Sequence, residues 1–319
     1  MYNLARRDFL KNLVAASAAS LAPAWAHGAP DTAAVARLFK LGAISDGFSL
    51  DFEEALKLMK GYGLEWVEIR NVWGKYNTEA TPDEIRKIKQ LLDQYAFHVS
   101  VVDTALYKCA LPGTKPLGEG KDIYPYSGQM DLLKRAAERA HAWGTDKLRV
   151  FAFWRVPEPE KIRGRIAEEL DKAGEVARAA GMRLVIEDEE STNGGTGHEL
   201  ALLLAAVKAL NVGVNWDVGN GYMLNEVSFP AGYAALPKDR IWHLHVKGMT
   251  CDAARKDCRE AFADQGVIDL TGQLRALRRA RYQGTMSLEC EFQAPGLSHP
   301  QTTRRSMEGL LKVMAAAAA

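Results

Sequence analysis

Cysteine is scarce in this chain, four residues in 319, and Cys109, Cys251, Cys258 and Cys290 are too few for a disulfide scaffold. They form no Cys-x-x-Cys pair and no Cys/His cluster at zinc-finger spacing, which argues against a structural zinc module. Cys251 and Cys258, seven apart in a polar stretch, leave a single bridge open. An excess of one charge is missing too. The 41 Lys and Arg stand against 40 Asp and Glu, a formal net charge of +1, so nothing draws the chain generally to nucleic acid or to an anionic membrane. No Gly-x-Gly-x-x-Gly follows the first strand candidate and no glycine-rich phosphate cradle is evident, which weakens a dinucleotide-binding reading. The alanine-rich apolar run Asn12 to Trp25 is short for a bilayer span, which needs roughly 20 residues.

That run follows Arg6-Arg7-Asp8-Phe9-Leu10-Lys11 and contains Ala24-Trp25, which with Ala26 makes a small-x-small cleavage site. Residues 1–26 therefore read as an export signal that resembles the twin-arginine type, and the protein as periplasmic or otherwise exported. An uncleaved anchor is the alternative. Cleavage would remove a net +2 and leave a mature chain of formal charge −1, with no stable membrane association expected. Residues 27–38 read as a linker, 39–314 as one domain and 315–319 as a disordered alanine tail.

From Phe39 onward, short apolar runs alternate with stretches of helical period, the pattern of repeated βα units. The strand candidates are Phe39–Ile44, Trp66–Ile69, His98–Val102, Lys147–Phe153, Arg183–Glu187, Gly213–Asp217, Ile241–Val246 and Thr285–Glu289. Eight strands alternating with seven or eight helices predict an α/β fold, a single-domain (β/α)8 TIM barrel. Thr81-Pro82 followed by Asp83 and Glu84 marks a helix start, and Gly63, Gly144 and Gly181 stand where helices should stop. The segment Lys108–Gln129, rich in Gly, Pro and Tyr, reads as an active-site loop after the third strand.

In such a barrel the reacting groups sit at the C-terminal ends of the strands. Four successive apolar strands close on a polar residue: Glu187, Asp217, His245 and Glu289. A lone Asp there is often a helix cap, and a lone His is often a satisfied core residue. Four together are different, because buried carboxylates repel one another and a cation resolves that repulsion. The mixed O/N set suits one divalent metal ion, Mn²⁺ or Mg²⁺ first, with Co²⁺ or Zn²⁺ admitted. Period-two geometry puts His243 on the face of His245, and Glu291 on that of Glu289. Glu289 is preferred because it ends the apolar run.

The stretches Leu184-Val185-Ile186-Glu187, Asn215-Trp216-Asp217-Val218-Gly219-Asn220, His243-Leu244-His245-Val246-Lys247-Gly248, Gly266-Val267-Ile268-Asp269 and Ser287-Leu288-Glu289 carry a resemblance. The chain resembles the xylose isomerase-like barrel superfamily of sugar isomerases and epimerases, which also holds inosose dehydratases and endonuclease IV. The resemblance implies that Glu187, Asp217, His245 and Glu289 ligate the metal and that the two glutamates also act as acid and base. The His-x-Lys context of the family favours His245. Asn220 and Glu189 stand where several relatives place histidine, a departure that bears on substrate.

Lys247 is expected to point into the same mouth and to meet an oxyanion, with a solvated loop lysine as the bland alternative. Trp154 and Arg155, closing the fourth strand, would suit a sugar face and its hydroxyls; a packed Trp and a rim salt bridge weigh equally. With Glu189 and Asn220 they complete the expected substrate-contacting set. Glu68, Asp103 and Tyr107 are placed near the pocket, and Arg275, Arg278, Arg279 and Arg281 on a solvated helix face. The implied reaction is proton abstraction beside a metal-bound carbonyl through an enediolate. Its outcome is isomerisation or epimerisation of a sugar or keto-sugar, or, as the alternative, lyase or hydratase action on a 3-keto-glycoside or inosose. A non-catalytic sugar-binding barrel is the reading from another class. DNA repair is disfavoured by only seven histidines and by the Asp-x-x-Asn at Asp217. The partner is thus a small carbohydrate, with a homo-oligomer admitted.

Overall fold

Eight parallel strands follow one another around a barrel: Leu41–Ala43 (β1), Trp66–Ile69 (β2), His98–Leu106 (β3), Lys147–Val150 (β4), Arg183–Glu187 (β5), Val212–Asp217 (β6), Ile241–Val246 (β7) and Thr285–Leu288 (β8). This computed structural model describes residues 32–118, 121–252 and 257–318. Residues 1–26, read from sequence as an export signal, and residues 27–31 lie outside the described residues. Each strand pairs with the next, β8 returns to β1, and a parallel bridge between Ile44 and Glu68 joins β1 to β2.

The outer layer consists of α1 (Thr32–Arg37), α2 (Phe52–Gly61), α3 (Pro82–Gln94), α4 (Gln129–Trp143), α5 (Pro159–Ala179), α6 (Gly197–Ala206), α7 (Leu270–Arg279) and α8 (His299–Ala318). The start of α3 is fixed as its sequence requires. Thr81 Oγ1 accepts from the Glu84 amide at 3.3 Å and Glu84 Oε2 accepts from the Thr81 amide at 2.7 Å, a reciprocal cap. Gly144 ends α4 at φ 79°, a left-handed conformation that a side chain resists. Between β6 and β7 the chain makes only short helical turns, from Asn220–Leu224 to Lys238–Arg240.

Apolar strand residues such as Val150, Ile186, Val214 and Leu244 are fully buried under these helices and form one core. The barrel interior is different in kind. Alternation along β4 and β7 turns Lys147 and Arg149, and His243 and His245, to one face of each strand, and all four are buried. This polar interior holds the site.

Several expectations are corrected. The linker is partly helical, since α1 buries Val35 and Ala36. The alanine tail is ordered through Ala318, with Ala317 only 2% exposed. Alanine is the strongest helix former, and the terminal carbonyls find donors: Arg275 reaches Ala316 O at 3.1 Å and Arg278 reaches Ala317 O at 2.8 Å. Those two arginines therefore cap α8 rather than merely facing solvent. β4 stops at Val150, short of the expected Phe153, which takes φ 59° and leaves the sheet. Cys251 and Cys258 are disulfide-bonded. Their bridge ties the two strands of an antiparallel hairpin, Gly248–Cys251 and Cys258–Ala261, that follows β7 at the barrel mouth.

Candidate metal centre

Glu187, Asp217, His245 and Glu289 converge. One ligand atom from each lies within 4.8 Å of all the others, and all four residues are buried to 2% exposure or less. The strand registers produce this meeting. Glu187 pairs with Asn215 and Asp217 with His245 in neighbouring strands, while Glu289 follows β8 directly. The four strand ends thus deliver four candidate ligands to one level of the barrel.

His245 is the hub. Its Nδ1 faces Glu187 Oε1 and Glu289 Oε2, each at 3.2 Å, and Asp217 Oδ2 at 3.8 Å. Its Nε2 is engaged on the other side by Glu68 Oε1 at 3.0 Å. Glu68 Oε2 meets His243 Nε2 at 2.8 Å, and His243 Nδ1 meets Thr285 Oγ1 at 2.6 Å. A carboxylate only accepts, and carboxylates face both ring nitrogens, so without a cation the ring carries a proton on each; an ion in the quartet would displace the proton on Nδ1 while Nε2 keeps its bond to Glu68. Asp217 is aimed by its backbone: Oδ1 accepts from the amides of Gly219 and Asn220 at 2.7 and 2.9 Å, which leaves Oδ2 facing inward.

Glu187 Oε2, Asp217 Oδ2 and Glu289 Oε2 accept no hydrogen bond among the described residues. What they meet are ion pairs. Arg149 Nη1 stands 3.1 Å from Glu187 Oε2 and 3.1 Å from Asp103 Oδ2, while Lys247 Nζ lies 3.0 Å from Asp217 Oδ2 and 2.7 Å from Glu289 Oε2. Arg70, clamped on Asp46 at 3.1 Å, reaches Glu289 Oε1 at 3.4 Å and Glu291 at 2.6 Å. Burial opposes ionisation of Glu187 and Glu289, but Arg149 in one case and Lys247 in the other outweigh it and hold both below the usual carboxylate range. Asp217 is instead pushed up to about 7 by burial, despite Lys247, and with help from Glu289 and Glu187. Burial disfavours the His245 imidazolium, yet the surrounding carboxylates, Glu289 first, raise it well above its ordinary value.

Three inward oxygens and one imidazole nitrogen, short of hydrogen-bond donors, are a donor set that fits a divalent cation. Of the two sequence ambiguities, His245 and Glu289 are the members brought into the quartet. His243 lies one step deeper with Glu68 and Thr285, and Glu291, with its side chain 52% exposed, is at the rim. Lys247 does enter the mouth, buried, with Asn220 Oδ1 at 3.3 Å from its Nζ. Asn220 also donates to Asp188 O, so it braces the loop after β6. Glu189 pairs with Lys108 at 3.2 Å.

Arg155 is taken by a two-pronged pair with Glu199 at 2.6 and 2.9 Å and by Thr192 O, so its guanidinium serves as a loop brace rather than a sugar contact. Trp154 is 9% exposed and donates to Asp122 Oδ1 at 2.7 Å, which pins the loop after β3 over the end of β4. Tyr107 stacks on Phe153 and donates to Glu169 O of α5, away from the quartet. Arg149 and Arg70 were not foreseen as site residues. The signal for Arg149 was present: a charge inside an apolar strand, two residues from Lys147.

Fold and site together define a (β/α)8 barrel with a candidate divalent-metal centre at the C-terminal strand ends. The chain belongs to the xylose isomerase-like TIM barrel family, whose sequence pattern matches residues 56–313. No curated protein matches the sequence. Among solved structures, it is similar to a xylose isomerase-like TIM barrel protein from Mycobacterium smegmatis in complex with magnesium, at 17% identity, 89% of this chain, 99% of that one and a TM-score of 0.65. The 3-keto-D-glucoside 4-epimerase YcjR of E. coli is 18% identical over 86% of this chain and 99% of its own, with a TM-score of 0.63. The probable 3-DHS dehydratase AsbF of Bacillus anthracis is 15% identical over 85% of this chain and 98% of its own, with a TM-score of 0.64.

Proposed function

We propose that this protein is a divalent-metal-dependent isomerase or epimerase acting on a sugar or keto-sugar. The observation that carries the reading is the quartet itself, two glutamates flanking an aspartate and a histidine around one point, with their inward oxygens short of hydrogen-bond donors. Glu187, Asp217, His245 and Glu289 would hold the ion. When bound, a divalent cation supplies Lewis-acid polarisation of a substrate carbonyl and eases the charge that develops beside it.

The protein's own groups then divide the work. Glu187 comes from β5 and Glu289 from the end of β8, so they approach the substrate position from either side of the Asp217 and His245 pair. Arg149 and Lys247 keep both glutamates ionised and ready to accept a proton. One removes the proton from the carbon beside the carbonyl and, now a carboxylic acid, hands it to the neighbouring carbon in an isomerisation; in an epimerisation the other glutamate first takes up a solvent proton and then delivers it to the opposite face. Lys247, 2.7 Å from Glu289, is placed to steady the developing oxyanion.

A lyase outcome is the second reading. It is favoured by Glu260, a carboxyl of the mouth hairpin that burial pushes up to about 8 even with Lys247 nearby. A protonated acid there would assist departure of a β-substituent. The decisive experiment incubates the metal-loaded protein with a panel of keto-sugars and 3-keto-glycosides in D₂O. Deuterium entering one substrate carbon, and lost in Glu289→Gln, supports the reading. Unchanged uptake in that variant removes Glu289 from the mechanism, and metal binding without any uptake favours a sugar-binding barrel. We place the working compartment outside the cytoplasm, on the strength of the Arg6-Arg7 signal and the Cys251–Cys258 bridge; cell fractionation tests it.

A further inference from the structure

The opposite end of the barrel holds a cavity of about 560 Å³. Its wall includes Trp66, Lys147, Arg183, Ile241 and Thr285, each the first residue of its strand, so it opens at the N-terminal face, away from the quartet. Five cations line it: Lys40, Lys147, Arg183, Lys238 and Arg281. The acids nearby are Asp239 in the lining and Asp146, whose carboxylate binds Arg183 at 2.6 Å and Lys147 at 3.4 Å. Lys40, Lys238 and Arg281 have no acid within ion-pair distance among the described residues. Lys40 gives its ammonium to Gln283 O, and Lys238 to the carbonyls of Tyr233, Ala234 and Leu236.

Lys147 is the informative member. Its residue is 9% exposed, and its ammonium has only a distant share of a carboxylate already held by Arg183. Burial, aided by Arg183 and Lys40, pulls its proton affinity below the ordinary lysine value. Like charges that converge on a concave, partly dry surface are the mirror image of the carboxylates at the other end. They are unfavourable alone and are relieved by an ion of opposite sign. The indoles of Trp66 and Trp242 wall the cavity, with Lys40 and Arg183 over their rings at 5.9 and 5.1 Å. The volume falls within the range of small-molecule sites.

We propose that this basic bowl is a second ligand site, which takes a small molecule bearing a phosphate or a like oxyanion, held by Lys147 and Arg183 and by Lys40 and Arg281 around them, while Lys238, whose three protons are committed to carbonyls, adds its charge alone. This site is independent of the metal reading. Inorganic phosphate is the probe, titrated into the whole protein at low ionic strength and followed by tryptophan fluorescence and calorimetry. Saturable binding is expected, weakened about tenfold or more by Lys147→Met, as for loss of one charged contact. Arg281→Asn should weaken it too, and the exchange suits the backbone there, since Arg281 sits at φ 54° and asparagine tolerates that region. Lys134→Ser, an exposed lysine of α4 paired with Asp131, should leave it unchanged, as should Glu187→Gln in the quartet. If Lys147→Met fails to fold, Arg281→Asn decides. Three results overturn the proposal: no saturation below about 10 mM, against the millimolar scale of the weakest specific affinities; equal weakening by Lys134→Ser; or loss of binding in Glu187→Gln, which would place the anion at the metal centre.

Discussion

Glu68 should control metal affinity without touching the metal. Its carboxylate is fully buried and bridges His243 and His245 at 2.8 and 3.0 Å. In Glu68→Ala the Nε2 of both imidazoles loses its acceptor, each a buried polar group whose orphaning costs about 1–3 kcal/mol. His245 is then free to rotate or to change tautomer, and its Nδ1 is no longer committed to Glu187, Asp217 and Glu289. Partners of this kind govern roughly 10–100-fold of metal affinity, or ~1.4–2.8 kcal/mol, so Mn²⁺ titration by calorimetry should show that loss. Glu68→Gln is the milder change. Its amide oxygen can still accept from His245, while its NH₂ donates to His243, whose Nδ1 then donates to Thr285. The loss is expected within about tenfold, because the charge goes but the bond remains. The reasoning is refuted if Glu68→Ala folds with native stability and binds Mn²⁺ as tightly as the parent.

Other outcomes follow from the same geometry. Arg149→Met strands Glu187 as a buried charge beside Asp103, whose carboxyl burial already pushes well above its ordinary value, and should lower stability by ~3–5 kcal/mol, read by denaturant unfolding. Glu260→Gln tests a pH effect. The folded carboxyl titrates near 8 against 4.5 ordinarily, so the folded state binds the extra proton between those values and parent stability falls as pH rises through that window. The variant lacks that fall and should gain on the parent by ~1–3 kcal/mol at pH 9, with little difference near pH 4, after allowance for partial exposure. Gly213→Ala should lower the melting temperature, since an added Cβ meets the Trp242 ring at 2.5 Å and Arg240 O at 2.6 Å, an overpacking cost of about 1–3 kcal/mol or more.

The barrel was legible because strand length and the alternation of apolar runs with helical period are local properties, and eight such runs leave few architectures. The quartet was legible for a related reason: a polar residue that closes an apolar strand stands out in one dimension. What surrounds it depends on register between strands far apart in sequence. Arg149 looked like a charge inside β4 until the sheet set it between Glu187 and Asp103. Arg70 lies just past β2, and its clamp on Asp46 joins segments that sequence order alone does not pair. Arg155 shows the converse, a strand-end guanidinium that a loop carboxylate, Glu199, had already engaged. Composition alone does not show that the alanine tail continues α8, nor that Arg275 and Arg278 donate to its last carbonyls.

The central claim is that four strand-end residues make one divalent-metal site. Metal content measured after equilibration with Mn²⁺ and removal of free ion tests it most directly. One ion per chain is predicted for the parent, with stoichiometric binding lost in both Asp217→Asn and His245→Asn while the fold is kept. A parent that retains no divalent ion, or variants that retain it undiminished, would contradict the account.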